Sequence, residues 1–386
     1  MKPRILFVLS EGLQATVIDS QVIQHARVLK ELGVAEFKIV TLACSKEAHV
    51  QAQKYQEKAT RDAGCEVLIL RGVRPRLPFS EYINGLLLAR LIKKRNILFD
   101  KIHARTEYTA AVCSFVVRAT SKAMVWDCRG DAFAERVDRI PNGFKRLLVG
   151  ALGGIVYNYR LRLASEAADS AIFVTSVLRD RMQMYWVGKK TAVIPGAASE
   201  KLFYFDKELR KSKRSILNIS EDTLLLVYGG SMADYQKFSE SLVCFDRLKE
   251  SGVKVNYLVI TNQKDKAKWM VEGRSGVIVQ SAQLQEMNGY LNAADAAFMI
   301  RDYMPLNEAA FPTKFSEYGL CGLPVIMNMA VPDAYELAIN AGNYVDCCDI
   351  ASIKMFSDEK RSKVSLFYRE RVTKQAQSSI YKYLYE

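Results

Sequence analysis

Short apolar runs alternate with longer helical patterns along most of this chain, and that alternation limits the available folds more than any other feature. Residues Ile5–Ser10 form a continuous apolar run, as expected of a central strand that is covered on both faces. Strands and helices that alternate at this spacing form parallel sheets with right-handed crossovers. The pattern therefore predicts an α/β fold of the Rossmann-like, doubly wound type.

The length of 386 residues exceeds what one hydrophobic core usually supports, so we expect two domains. We place the first domain at residues 1–195 and the second at residues 216–364. The intervening residues 196–215 contain a charged stretch and are predicted to form a linker.

The chain is basic, because 55 Lys and Arg against 42 Asp and Glu give a net charge of +13. A field of this sign attracts nucleic acid, nucleotide substrates and the anionic inner face of a membrane, and it does not choose among them. The apolar run Leu147–Tyr157 is flanked by Lys145, Arg146, Arg160 and Arg162. This region is interpreted either as a buried helix with solvated ends or as a surface that contacts anionic lipid.

Eight cysteines form no Cys-x-x-Cys pair, and the three histidines form no cluster with metal-ligand spacing. We interpret the cysteines as reduced thiols of a cytosolic protein. The sequence predicts neither a signal peptide nor a membrane-spanning run. The expected location is the cytoplasm, with or without peripheral contact to the inner face of the cell membrane, and neither a metal nor a cofactor is expected.

Ligands of doubly wound sheets bind beyond the carboxyl ends of the strands, and three such places in the first half carry candidate residues. Gly12 follows the first strand and would let the backbone approach a ligand, although a single loop glycine is commonly only a turn. His103 ends a later strand, where it is a candidate catalytic residue or a structural hydrogen-bonding residue. Asp127 and Arg129 end another strand, and such charges must pair with each other or with a ligand.

A second sheet is predicted to begin with Leu224–Tyr228, which Gly230 and Ser231 follow closely. A turn of this kind can contact phosphate, and Lys237 lies six residues further along. The chain contains neither a Gly-x-Gly-x-x-Gly fingerprint nor a P-loop, so the turn alone is a weak signal. Lys237 is interpreted first as a solvated lysine, and a phosphate-binding lysine is the alternative.

The stretch Met299–Met327 contains the densest group of candidate residues. Arg301 ends an apolar strand, and a helix is predicted to open at Pro312. The free N–H groups and positive dipole end of a helix start form a seat for an anion. Lys314 lies in the first turn and Glu317 about one turn further on. The alternative is an exposed ion pair of these two residues with no ligand.

The sequence PTKFSEYGLCGLPVI, which begins at Pro312, resembles the donor-nucleotide helix of retaining sugar-nucleotide glycosyltransferases of the GT-B fold, family four. The resemblance implies two Rossmann-like domains facing across a cleft. It implies that Glu317 holds the donor ribose, and that the helix start at Pro312 and Thr313 faces the diphosphate. It further implies that Asp127 lies near the transferred sugar, and that residues 365–386 form a helix that crosses back to the first domain.

The chain departs from this family at one position. The family commonly has two glutamates with seven residues between them, and counting back from Glu317 reaches Ala309. A subgroup of bacterial surface-polysaccharide transferases has an Arg, Asn and Pro-x-Lys pattern instead, which Arg301, Asn307 and Lys314 match. A transferase-like protein without activity is the alternative that Ala309 leaves open.

The resemblance implies transfer of a sugar from a nucleoside-diphosphate donor to a glycan or lipid-linked acceptor, with retention, in cell-surface polysaccharide assembly. The sequence has no Asp-x-Asp motif, so protein cations and N–H groups are expected to stabilise the leaving diphosphate without a metal. Two other functions stay open at this point. One is a nucleotide-sugar epimerase of the same fold, and the other is a basic nucleic-acid-binding protein, although no nucleic-acid reading motif is recognisable.

Overall fold

The chain folds into two α/β units, each built on its own parallel sheet. The first unit comprises Met1–Pro195 and Lys374–Glu386, and the second comprises Gly196–Thr373. The computed structural model describes residues 2–131, 133–134, 137, 140, 143–186 and 188–386, with only the backbone described at residues 16, 144–145 and 148–149. The side chain of Lys145 therefore lies outside the described part.

In the first unit, the described strands are β1 (Arg4–Leu9), β2 (Glu36–Ala43), β3 (Val67–Arg71), β4 (Lys101–Arg105), β5 (Ala123–Cys128), β6 (Ser170–Phe173) and β7 (Lys190–Val193). They form one parallel sheet in the order β3-β2-β1-β4-β5-β6-β7. β1 lies inside the sheet and is buried after its first residue, which explains its apolar sequence. The described helices are Thr16–Ile18, Asp19–Ile23 (a π-helix), Gln24–Glu31, Lys46–Ala63, Ser80–Lys94, Glu107–Thr120, Phe144–Ala167, Ser176–Arg181, Gln183–Tyr185 (a 3-10 helix) and Ser378–Tyr385.

In the second unit, the described strands are β8 (Leu224–Gly229), β9 (Val255–Ile260), β10 (Val277–Gln280), β11 (Ala296–Met299), β12 (Val325–Met327) and β13 (Tyr344–Asp346). They form a parallel sheet in the order β10-β9-β8-β11-β12-β13. The helices described here are Lys207–Ile216, Asp234–Gln236, Phe238–Glu250, Lys264–Met270, Leu284–Ala293, Pro305–Glu308, Thr313–Leu320, Pro332–Ala341, Ile350–Ser352 and Asp358–Arg369. The two sheets confirm the predicted α/β class with two Rossmann-like units.

The order of the second sheet reverses between β8 and β11, which is the place where open α/β sheets bind ligands. These two strands pair only at Leu226 with Ala296 and at Val227 with Ala297. Each of the two strands continues for two further residues, and these residues do not pair with the other strand. The last two residues of each strand are therefore not paired with the other strand at the carboxyl ends, which is where ligands of such sheets bind.

The expected linker 196–215 is different in the structure, because it lies in the second unit and contains helix Lys207–Ile216. Its charged residues are not all solvated. Arg210 Nη2 lies 2.6 Å from Asp295 Oδ1, and Arg214 Nη1 lies 3.0 Å from Asp295 Oδ2. Arg214 is almost completely buried. The charged stretch thus belongs to a packed helix, and Asp295 of the second unit holds that helix in place.

Replacing Asp295 with asparagine should destabilise the protein strongly. The change removes the buried counter-charge of the Arg214 guanidinium and leaves only the exposed Glu221, 3.9 Å away. It also weakens the bond that Asp295 Oδ2 accepts from Leu225 N at 2.7 Å. Loss of one member of a buried ion pair typically costs about 3–5 kcal/mol, and urea unfolding of the full chain measures it. Asp222→Asn is the control, because its pair with Lys254 is exposed and should matter far less. Equal losses in the two variants would contradict the prediction.

Residues 365–386, expected to form one returning helix, are divided between the two units. Helix Asp358–Arg369 belongs to the second unit, and helix Ser378–Tyr385 belongs to the first. Tyr381 and Tyr385 join the hydrophobic core of the first sheet. Only the last helix therefore returns to the first unit.

Two further expectations concern the membrane and the cysteines. Among the described residues, no helix combines the length and apolar character needed to cross a membrane. All eight cysteines are described, and each carries a free thiol.

Candidate functional site

Helix Thr313–Leu320 follows β11 and the loop after it, and its sequence sets both of its ends. Pro312 is its N-cap, with φ −67° and ψ 123°, so the helix starts one residue later than predicted. Gly322 has φ +69°, the left-handed conformation that often follows the last turn of a helix. A helix that follows a strand of a parallel sheet begins at the carboxyl edge of that sheet. The first turn, with Thr313 and Lys314, is therefore placed at the ligand-binding edge.

Lys314 and Glu317 extend from this helix, and both side chains are partly buried. The Lys314 amine lies beside the turn after β8, since a Cβ atom added to Gly229 would lie 3.5 Å from its Nζ. The side-chain carboxylate of Glu317 forms no hydrogen bond or ion pair with another described residue of its unit. Burial raises the pKa of its carboxyl, and the charge of Lys314 offsets only part of that effect. A carboxylate in this state gains from hydrogen bonds that a ligand donates.

Arg301 lies two residues beyond β11 and is only 7% exposed. Asn328 fixes its backbone, accepting from Arg301 N at 3.2 Å and donating to Arg301 O at 2.7 Å. Nη1 donates to the backbone oxygen of Ile300 at 3.1 Å. Burial lowers the pKa of the guanidinium, and no described carboxylate of the unit forms an ion pair with it. A bound anion would supply the missing counter-charge.

Two tyrosines brace the turn after β8. The N–H of Gly229 donates to Tyr318 Oη at 3.2 Å, and Tyr228 Oη donates to the backbone oxygen of Ser231 at 2.5 Å. Gly230 leaves room for this packing, because a Cβ atom there would lie 2.5 Å from Gln236 Oε1 and 2.9 Å from Tyr228 Oη. The turn with Gly230 and Ser231 is therefore held in one geometry beside the Lys314 amine.

Two other predicted donor-binding residues already contact protein groups. Lys237 Nζ lies 3.3 Å from Glu240 Oε1 and 3.6 Å from Asp302 Oδ1. Asn307 is buried, and its Nδ2 donates to the backbone oxygen of Asp302 at 2.8 Å. Lys237 would have to leave two carboxylates to meet a phosphate. We therefore interpret both residues as supports of the loop after β11 rather than as ligand contacts.

The groups that we assign to a ligand are two cations, a helix start and one carboxylate, all supplied by the chain segment that follows β11. The cations suit a diphosphate, and the carboxylate suits the hydroxyls of an attached sugar. The sequence analysis missed three residues that shape this place: Tyr228, Tyr318 and Asn328. Asn328 follows β12 directly, so the carboxyl-end rule applied to β12 would have found it.

In the first unit, the structure brings His103, Asp127 and Arg129 together. His103 Nε2 lies 3.2 Å from Asp127 Oδ2, and Arg129 Nε lies 2.7 Å from Asp127 Oδ1. Burial alone would raise the pKa of the Asp127 carboxyl, but Arg129 and His103 hold it below its ordinary value. Burial lowers the pKa of His103 despite the nearby carboxylate, so the imidazole is neutral at neutral pH.

The catalytic role predicted for these residues conflicts with their burial. His103 and Asp127 have no exposed surface, whereas a catalytic residue must contact substrate. The last helix covers them, since Tyr385 Oη lies 2.8 Å from His103 Nδ1 and Arg129 donates to Tyr381 Oη at 3.4 Å. We interpret the cluster, with Arg129 at its edge, as a structural network that fixes the last helix to the first sheet.

Gly12 lies in the loop after β1 of the first unit, where its backbone oxygen accepts from Ala15 N at 3.1 Å in a turn. Its neighbour Glu11 accepts from Arg105 Nε at 2.8 Å, and Arg105 also donates to Gln21 at 2.8 Å. The sequence analysis gave no role to Glu11 or Gln21. The donor role of Gly12 stays a prediction.

Asp346, Cys347 and Cys348 bring potential metal-ligand atoms within 4.8 Å of one another at the end of β13. Burial and the adjacent Cys348 raise the pKa of the Cys347 thiol to about 12. Because metals bind the thiolate form, this pKa disfavours metal binding at neutral pH.

Solved structures of similar architecture align along nearly the whole chain. HepE from Anabaena, in complex with UDP, is 12% identical, with 98% of this chain and 98% of that chain covered and a TM-score of 0.70. Sucrose-phosphate synthase from Thermosynechococcus elongatus is 14% identical, with 100% and 98% covered and a TM-score of 0.69. The lipopolysaccharide outer core galactosyltransferase WaaB is 9% identical, with 99% and 94% covered and a TM-score of 0.60.

These three proteins are glycosyltransferases of the GT-B type, and the likeness shows that this chain has the GT-B fold. At such identities a shared fold does not establish a shared activity. No protein-family model matches the chain, and no curated protein matches it.

Proposed function

We propose that this chain is a glycosyltransferase that moves a sugar from a nucleoside-diphosphate donor to a glycan or lipid-linked acceptor, with retention, in cell-surface polysaccharide assembly. The observation that carries the proposal is the pair of cations Arg301 and Lys314 at the carboxyl edge of the second sheet. Neither forms an ion pair with a described carboxylate of its unit, so both are available to a diphosphate. The GT-B fold supports the proposal, as does the UDP-glucose complex of HepE, one of the similar structures.

Arg301, Lys314 and the N–H groups at the start of helix Thr313–Leu320 bind the diphosphate in this proposal. Departure of the nucleoside diphosphate concentrates negative charge on its terminal phosphate. Cations and N–H dipoles that are already in position stabilise this charge more in the transition state than in the ground state. The chain has no Asp-x-Asp motif, so we propose a reaction without a metal.

Glu317 accepts hydrogen bonds from the ribose hydroxyls in this proposal. It is the carboxylate that we find available at this edge of the second sheet, and a carboxylate engaged by the ribose cannot also serve as the nucleophile. We therefore propose that a phosphate oxygen of the donor takes the proton of the acceptor hydroxyl. This step places the acceptor on the face that the diphosphate leaves, which retains the configuration.

Thermal unfolding of the full chain with UDP-, GDP-, ADP- and dTDP-sugars tests donor binding. We expect one nucleotide class to raise the melting temperature, because a ligand at about a hundred times its Kd stabilises the folded state by about 2.7 kcal/mol. Lys314→Ala should lose this shift. Lys237→Ala should keep it, because Lys237 is paired with two carboxylates. The absence of a shift with every donor would overturn the proposal.

An assay that follows consumption of the donor that stabilises the chain distinguishes the transferase from the two alternative functions. Release of nucleoside diphosphate that depends on an added acceptor supports the transferase. Conversion of the donor sugar without any acceptor would identify an epimerase instead. A salt-sensitive gel shift of DNA or RNA, without nucleotide-sugar binding, would identify a nucleic-acid-binding protein.

A further inference from the structure

The long helix Phe144–Ala167 of the first unit exposes an apolar stripe. Leu152, Ile155, Val156 and Tyr159 follow the spacing i, i+3, i+4 and i+7, which places them on one face, and each is between 47% and 68% exposed. Helices of globular proteins normally bury such a stripe. Other positions hold this helix in the unit, and the described buried residues among them are Leu161, Leu163, Ala164 and Ser165.

A second apolar projection consists of the turn 75–79 and the helix Ser80–Lys94 that follows it. Phe79 is 78% exposed and has a φ of 56°, a left-handed conformation that is unfavourable for a bulky side chain. Leu77, Tyr82 and Leu86 are each about half exposed. The fold thus holds a large aromatic ring in solvent at a conformational cost.

The two projections border one open cavity of about 490 Å³. Apolar side chains of both projections line it: Leu77, Phe79, Tyr82, Leu152, Val156 and Tyr159. Glu81 also lines it, but this acid is buried and paired with Arg160. Arg160 is fixed in turn, because it also donates to the backbone oxygen of Pro75 and lies 4.8 Å from the ring centroid of Tyr108. The cavity therefore presents no unpaired carboxylate from Glu81.

Cationic residues are concentrated in the two chain segments that carry these apolar side chains. Residues 71–95 contain seven Lys and Arg, all of them exposed, and one acid, Glu81. Residues 143–165 contain four more Lys and Arg and no acid. With net charges of +6 and +4, the two segments hold most of the net charge of +13 of the chain. An apolar face bordered by cations complements the headgroups and acyl boundary of an anionic bilayer.

We propose that this apolar face, formed by residues 77–86 and the exposed stripe of residues 152–159, docks on a bilayer that contains anionic lipid. Phe79 and Ile155 enter the interface, and the neighbouring Lys and Arg side chains meet the headgroups. The interaction uses side chains of the first unit only, so it is independent of the donor site proposed in the second unit.

Two other occupants fit these observations less well. A second copy of the chain would bring two cationic faces together, which like-charge repulsion opposes. A single lipid chain in the cavity would leave Ile155 and Leu147 in water, because neither lines it and both are about 70% exposed. A bilayer surface covers all of these side chains at once.

Sedimentation of the full chain with phosphatidylcholine vesicles, with and without phosphatidylglycerol, tests the proposal. We expect binding only when phosphatidylglycerol is present, with part of it retained at high salt because apolar side chains insert. Ile155→Glu should weaken binding about tenfold or more, because a charge replaces an inserted apolar side chain. Ile216→Glu is the matched control, since Ile216 also lies in a helix, is in the second unit and is equally exposed at 68%.

Three outcomes would overturn the proposal: no binding to anionic vesicles, unchanged binding of Ile155→Glu, or an equal loss in Ile216→Glu. Light scattering without vesicles provides a further check. A dimer that Ile155→Glu dissociates would overturn the proposal in favour of a second copy. Stabilisation by nucleotide sugars should be the same in both variants, so a failure of this docking surface is distinguishable from a failure of the proposed transferase function.

Discussion

Replacing Glu317 with glutamine should remove most of the donor affinity and raise the melting temperature of the ligand-free protein. The carboxyl is partly buried, and burial raises its pKa because the charged form is poorly solvated there. Glutamine keeps the shape and removes that penalty. It also removes a charged acceptor for the donor hydroxyls, which costs about 1.5–3 kcal/mol, or roughly a ten- to hundredfold loss of affinity.

The raised pKa of Glu317 also gives this prediction a direction with pH. Because the folded state holds the proton more tightly than the unfolded state, the carboxyl lowers stability as the pH rises through its folded pKa. The difference in melting temperature between Glu317→Gln and the parent should therefore be small below the ordinary value of 4.5 and should widen above it. Calorimetry from acid to neutral pH measures this difference.

Glu308→Gln is the control variant, because it changes the other glutamate near this motif in the same way. Glu308 lies next to Ala309, the fully buried residue at the position where the family that this chain resembles commonly has its first glutamate. The control should keep both the donor affinity and the pH profile of the parent. Equal losses of affinity in the two variants, or an unchanged affinity in Glu317→Gln, would contradict the role proposed for Glu317.

Burial on both faces of a sheet explains why so much of the architecture could be predicted. A strand in that position must be apolar throughout, so its bounds are visible in the sequence. The runs Ile5–Ser10 and Leu224–Tyr228 correspond to strands Arg4–Leu9 and Leu224–Gly229, each within one residue at either end. The α/β class with two Rossmann-like units followed from the order of such elements.

Buried charges could not be predicted in the same way, because their partners are distant in sequence. Arg214 lies in a charged run that is typical of a linker, and its partner Asp295 is 81 residues away. The carboxyl-end rule identified His103 and Asp127 at two separate strand ends, but it contains no information about Tyr385, which contacts His103 and lies 282 residues further along the chain. Local patterns thus located the strand ends without showing which of them are open to a ligand.

The proposed donor site contains residues of both kinds, some visible in the sequence and some not. Arg301 and Lys314 were visible because a strand end and a helix start carry functional groups in a recognisable order. Tyr228 and Tyr318 were not, because their rings are buried and their sequence positions are typical of core residues. Their hydroxyls still set the geometry of the turn after β8.

Replacing Arg301 with methionine should slow donor turnover by about a hundred- to a thousandfold, because removal of one preorganised group for transition-state charge typically costs about 2.7–4 kcal/mol. The ligand-free protein should keep its free energy of unfolding. Arg301 is 7% exposed and has no described carboxylate partner in its unit, so its loss leaves no unpaired acid behind. Arg301→Lys should restore little, because an ammonium lacks the planar fork that binds two phosphate oxygens.

Calorimetric titration with a nucleoside diphosphate and with the corresponding nucleoside locates the lost interaction. Because Arg301 is assigned to phosphate, Arg301→Met should weaken binding of the diphosphate and leave binding of the nucleoside unchanged. Lys237→Ala should bind both ligands as the parent does, since two carboxylates already hold that ammonium. If Arg301→Met binds the diphosphate normally, or if its free energy of unfolding falls by several kcal/mol, Arg301 is a structural residue, and the site has lost one of the two cations on which the proposed function rests.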